Sequence, residues 1–168
     1  MNDLPPDLME LFIRAGWKPG RRVEPAIVPP PGHPAVELLQ SFSGLRIGES
    51  KSGIECAAGD VAFTSKASTT PEIRAIERLS GERLVAIART HQDYAILYIG
   101  DSGRCFGACD LMEAPWLDGE TFVDAIRSII TGRCVRPILL PGQESATVYG
   151  YAYKAGDPRL YDVSGGRS

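Results

Sequence analysis

Apolar residues recur along this chain with two periods, and these mark out most of its elements. Leu8, Leu11, Phe12 and Ala15 fall at i, i+3, i+4 and i+7, the stripe of an amphipathic helix. Pro5-Pro6 suits its first turn, where the missing amide hydrogens would be unpaired anyway. Gly16 ends the helix, because without a Cβ it tolerates the left-handed conformation. Trp17 then brings a large apolar surface that needs burial, and Pro19-Gly20 turns the chain. This stretch reads as a structural anchor, with Trp17→Ala costing roughly 3–5 kcal/mol if the ring is fully buried. Arg21 and Arg22 read as solvated rather than as a grip on an anion. Pro25, Pro29, Pro30, Pro31 and Pro34 stiffen the link to a second helix, where Ala35, Leu38, Leu39 and Phe42 repeat the helical spacing. Gly44 stops it, and 45–48 reads as a short strand.

Residues 53–65 read as one or two strands anchored by Ile54, Val61 and Phe63. Thr70-Pro71-Glu72 supplies a capping hydroxyl, a first-turn proline and an early carboxylate. Ile73, Ile76 and Leu79 give that third helix its apolar side, and Gly81 its end. Residues 84–90, 94–99 and 104–109 are β-branched, aromatic and aliphatic, separated by His91-Gln92-Asp93 and Gly100-Asp101-Ser102-Gly103. They predict a three-stranded antiparallel meander. A last helix starts at Asp118 or Gly119, buries Phe122, Ile126, Ile129 and Ile130, and closes at Gly132. Val135 to Leu140 is apolar but interrupted by Pro137. Thr147, Tyr149, Tyr151 and Tyr153 alternate with small residues as an edge strand would, and 164–168 reads as disordered.

Composition narrows the class. At 168 residues, 43% apolar and 23% charged, the chain is long enough to bury a core as one domain without disulfides or metal. A net charge of −3 is not that of a general nucleic-acid binder. Residues 1–15 carry three acids and no basic region before an apolar run, and no stretch reaches 18 apolar residues. The expectation is a cytoplasmic protein with reduced thiols and no membrane or nucleic-acid partner.

Catalytic patterns fail on spacing. A zinc deaminase needs H-x-E and P-C-x-x-C to converge one His and two Cys on the metal. Here His33 and Glu37 are too far apart in sequence, and Cys105 and Cys109 sit in a predicted strand, both on one face. His91 has no neighbouring nucleophile, and no phosphate-binding glycine loop occurs. The chain therefore reads as a non-enzyme without cofactor or metal. The alternative is a small zinc enzyme using His33, Cys105 and Cys109. Charge offers a better clue: residues 101–124 hold six carboxylates and one base, Arg104. Asp110, Met112, Glu113, Trp116, Asp118 and Glu120 together would suit a basic protein partner, the acids steering its approach.

The run Leu11-Phe12-Ile13-Arg14-Ala15-Gly16-Trp17-Lys18-Pro19-Gly20-Arg21-Arg22-Val23 resembles the SUKH superfamily, specifically its third immunity-protein family. So do Leu38-Leu39-Gln40-Ser41-Phe42-Ser43-Gly44-Leu45-Arg46-Ile47, Gly81-Glu82-Arg83-Leu84-Val85-Ala86-Ile87-Ala88, Asp101-Ser102-Gly103-Arg104-Cys105-Phe106, and the helix over 119–132. Ser43 stands where the family usually has glycine. The resemblance implies an α+β domain over 1–132, with a mainly antiparallel or mixed sheet of about five to six strands and about four helices. Residues 133–168 would be a C-terminal extension. It also implies a bacterial immunity protein that binds and occludes a cognate polymorphic toxin, often a nuclease or nucleic-acid deaminase. A general SUKH-fold scaffold is the other reading within that fold.

Overall fold

Helix ends in this chain are set by local hydrogen bonding, as the computed structural model shows for residues 4–66 and 69–164. Helix α1 spans Pro6–Arg14 and buries Leu8 and Phe12. Gly16 follows at φ 99°, the Gly16 amide donates to Ile13 O and the Trp17 amide to Phe12 O, both at 2.9 Å. That pair of hydrogen bonds is the glycine stop of a Schellman motif. Trp17 is half-buried against the aromatic core rather than enclosed, with its ring centroid 6.5 Å from that of Phe42. Its truncation therefore costs less than full burial implied. Arg21 is not solvated: its guanidinium donates to Ser41 O and Ser43 O at 2.6 and 2.8 Å. It satisfies orphan carbonyls at the end of α2 (Ala35–Phe42), whose Ala35, Leu38, Leu39 and Phe42 are all buried. Arg22 donates to Gln40 Oε1 at 2.7 Å.

Helix α3 (Pro71–Ser80) starts at Thr70, whose hydroxyl accepts from the Ile73 amide, and ends at Gly81 in the left-handed region. Helix α4 (Phe122–Thr131) is capped by Thr121 and closed by Gly132. It begins later than Asp118 or Gly119, because those residues belong to a strand.

The strands are β1 (Arg46–Ser52), β2 (Ala57–Phe63), β3 (Leu84–Thr90), β4 (Ala95–Gly100), β5 (Cys105–Ala108), β6 (Trp116–Gly119) and β7 (Arg136–Pro137). They lie side by side in chain order, and every neighbouring pair is antiparallel. The architecture is α+β with four helices, as expected. The sheet has seven strands instead of five to six and is antiparallel throughout. Ile54 does not anchor β2; it sits 66% exposed in the β1–β2 turn. A second, two-stranded sheet pairs β8 (Ser145–Val148) with β9 (Tyr151–Lys154). The alternating tyrosines thus form a hairpin instead of one edge strand. Tyr149 (φ 51°) and Gly150 (φ 80°) make its two-residue turn, a conformation that matches strand twist.

Helices α1, α2 and α4 cover one sheet face around Phe12, Phe42, Phe63, Leu97 and Ile126. Helix α3 covers the other around Tyr98, Phe106 and Leu117, joined by Ile138 and Val163 from the C-terminal chain. The hairpin packs Ala146, Val148 and Tyr153 on Ala95 and Trp116. Residues after 132 thus complete both the sheet and its cores. Residues 165–168 of the expected disordered tail lie outside the described residues. No helix among the described residues is long and apolar enough to cross a membrane.

Candidate interaction site

The six residues singled out for a partner do not share one surface. Trp116 and Asp118 lie two apart on β6, so they face the same side of the sheet, under α4 and the hairpin. Trp116 is 1% exposed and Asp118 is buried. The indole Nε1–H donates to Asp118 Oδ1 at 3.0 Å, pairing two groups that neither solvent nor a partner reaches. Burial pushes the Asp118 carboxyl up to about 7, against the opposing hydrogen bond from Trp116. Both residues are therefore corrected from surface contacts to core. The acidic run misleads here because β6 is flanked by strands and covered on both faces, so alternation gives no exposed position.

Glu120 is exposed, but at the far end of β6 from Asp110, beside a cleft of about 570 Å³ shared with His33, Glu37 and Phe122. Asp110, Met112 and Glu113 stay together in the loop joining β5 to β6. Met112 is half-buried, its sulfur accepting from the Tyr149 amide at 3.3 Å. Glu113 Oε2 accepts from the Thr147 amide at 2.5 Å, and Gln143 donates to its carbonyl at 2.9 Å. These bonds hold the loop on the hairpin.

Beside that loop lies a turn whose part in the surface the sequence reading missed. Residues His91, Gln92 and Asp93 all have positive φ (51°, 57° and 69°), a run of left-handed conformations that β-carbons oppose. Asp60 holds it: its backbone carbonyl accepts from the His91 amide at 3.2 Å and its Oδ1 from the Gln92 amide at 2.7 Å. Arg46 pairs with Asp60 and lies 3.6 Å from Asp93. The turn presents Tyr94, 65% exposed, and the loop presents Leu111, 73% exposed. Tyr94, Asp93 and Asp110 line one cleft of about 380 Å³, with Arg89 and Thr70 on its walls. The same end of the sheet thus carries two large apolar side chains bordered by carboxylates. A tyrosine next to a turn is a weak signal in sequence, and only the antiparallel register places the two segments together.

The metal-like residues are separated. His33 is buried, with Nδ1 accepting from the Ala35 amide and Nε2 donating to Arg83 O, each at 3.1 Å. One ring nitrogen therefore serves the start of α2 and the other ties it to the segment that leads into β3. Strand β5 ends at Ala108, so Cys105 packs in the helical core while Cys109 packs toward the hairpin. They lie on the same side of the sheet, as expected, but His33 is engaged elsewhere, and among the described residues no three His, Cys, Asp or Glu side chains converge as a zinc centre requires.

The segments Gly81-Glu82-Arg83 and Asp101-Ser102-Gly103-Arg104 clasp each other. Asp101 accepts from the Arg83 amide and guanidinium, and these bonds hold its carboxyl down at about 2. Glu82 pairs with Arg104, which also donates to the Tyr161 hydroxyl at 2.6 Å. A family model, the SUKH-3 immunity protein, matches residues 31–132, from the approach to α2 through the end of α4. The chain belongs to the SUKH-3 immunity protein family. The family is one of toxin immunity. No curated protein and no solved structure matches the chain. In this SUKH-3 protein the clasp motifs, Arg21 and His33 all serve the fold. The turn at 15–23 and the strands after 132 lie outside the matched stretch.

Proposed function

We propose that this SUKH-3 protein neutralises a cognate bacterial polymorphic toxin by direct binding, through the sheet end formed by the 91–94 turn and the 109–115 loop. The observation that carries the reading is the exposure of Tyr94 and Leu111 beside Asp93, Asp110 and Glu113. Aromatic and aliphatic anchors supply desolvation at the centre of an interface, and a carboxylate rim steers a basic partner. Toxins that act on nucleic acid, nucleases or deaminases, present basic faces that suit this rim. Met112, half-buried in that loop, accepts from the Tyr149 amide and ties the loop to the hairpin. Glu120, at the opposite end, stays outside this interface.

The test is co-expression with the toxin domain encoded beside the immunity gene. Wild-type protein should restore growth, and Tyr94→Ala with Leu111→Ser should not, while both versions accumulate to the same level. Failure of the wild type to rescue, or full rescue by the double variant, would reject the proposed interface.

A further inference from the structure

The β1–β2 turn is stitched to the end of α4 by backbone hydrogen bonds. The Ile54 amide donates to Thr131 O at 2.9 Å, and the Glu55 and Cys56 amides donate to Gly132 O at 2.8 and 2.9 Å. Glu55 Oε2 accepts from the Cys134 amide at 2.7 Å. Glycines permit the contact: a Cβ on Gly53 would stand 2.6 Å from the Gly132 Cα. Within this stitched corner the Cys56 thiol donates to Arg133 O at 3.4 Å, the carbonyl that precedes Cys134. The Cys56 and Cys134 side chains interact across the gap. A disulfide needs its two Cα atoms roughly 4.4–6.8 Å apart with the Cβ groups converging. The Cys56 thiol reaches the carbonyl joined directly to Cys134, so the backbone stitching holds the two cysteines in one corner.

Exposure differs across the pair. Cys134 is exposed, and Cys56 is half-buried beside a cleft of about 610 Å³ that also touches His91 and Gln92. Burial pushes the Cys56 thiol up, with the neighbouring Cys134 and Glu55 adding to it, so Cys56 rests as the thiol. Cys105 and Cys109 lie in other parts of the core.

We propose that Cys56 and Cys134 form a redox modification site, a dithiol that a peroxide converts to an intramolecular disulfide stapling the β1–β2 turn to the end of α4. The Cys134 sulfur, as thiolate, attacks one peroxide oxygen; the O–O bond breaks and the other oxygen leaves as water after protonation. The resulting sulfenic acid is attacked by Cys56, which gives up its proton as the S–S bond forms and the S–O bond breaks, releasing a second water. Two thiols lose two electrons in all, and one hydrogen peroxide becomes two waters. A dithiol reductant reverses the step by exchange. The closed loop of about 78 residues constrains the unfolded chain, so oxidation raises thermal stability. The site stands independently of the toxin-binding reading.

The full chain, fully reduced and freed of reductant, should be treated with equimolar hydrogen peroxide, alkylated and mapped without reduction. We expect free thiols to fall from four to two, one cross-linked peptide pair holding Cys56 and Cys134, and a Tm several degrees higher that dithiothreitol returns to its starting value. Cys134→Ser should abolish the cross-link and the Tm rise while leaving the reduced-state Tm unchanged, since its side chain is exposed. Oxidation of Cys134 to sulfinic acid without a cross-link, pairing with another cysteine, or no loss of thiols would overturn the proposal.

Discussion

Asp118 is the side chain on which burial weighs most plainly. Its carboxyl is raised to about 7 in the folded chain, above the ordinary value of 3.8. The folded state therefore keeps a proton that the unfolded state has lost, and stability falls as pH rises from about 4 through 7. Between pH 5 and pH 8 the loss should be about 3 kcal/mol from this group. His91 acts in the opposite sense, since burial lowers its pKa and folding then loses stability as pH drops below the ordinary histidine range. Asp118→Asn keeps an oxygen for the Trp116 indole and removes the ionisation. Denaturant melts at the two pH values should show the variant less stable relative to wild type at pH 5 than at pH 8. An unchanged pH slope would show that Asp118 is not the buried acid described. Gly107 supports the same pair from β5, where an added Cβ would collide with the Trp116 indole and the Asp118 carboxylate. Gly107→Ala should cost about 1–3 kcal/mol, measured by the same melts.

Among the elements, α2 is held at both ends by side chains that precede it. His33 serves its start and Arg21 its last carbonyls. Replacing Arg21 with Met should lower stability by about 1.5–3 kcal/mol, the range for hydrogen bonds from a charged group. If Arg21 instead gripped an anionic ligand, the variant would melt like wild type in ligand-free buffer. Helices were legible in the sequence because each carries a 3.6-residue period with a chemical stop: Gly16, Gly81 and Gly132, or the Thr70 cap. The central meander was legible by composition instead, as runs of β-branched, aromatic and aliphatic residues separated by turn residues. Strands β6 and β7 were not, since four and two residues contain too little pattern to show a period. The hairpin was misread because Tyr149 in its turn continued the alternation of Thr147 and Tyr151. The candidate site was legible only in Asp110, Met112 and Glu113. Tyr94 joins them through strand register, which is a long-range property.

For the whole molecule, residues after 132 extend the sheet and pack into two of its cores. Ile138 and Val163 pack beside Phe106, and the hairpin covers Trp116. Ending the chain at Gly132 would expose both cores, so the truncated protein should lack a cooperative melting transition and lose dispersed amide resonances. A cooperative fold for residues 1–132 would instead make the remainder a separable extension. The proposed inhibition of a cognate toxin through the Tyr94–Leu111 end of the sheet can be measured by calorimetric titration against the purified, catalytically inactivated toxin domain. A single high-affinity site should weaken at least about 100-fold in the Tyr94→Ala, Leu111→Ser variant, with Tm unchanged, as expected when interface anchors are removed. Equal affinity of wild type and variant would contradict it.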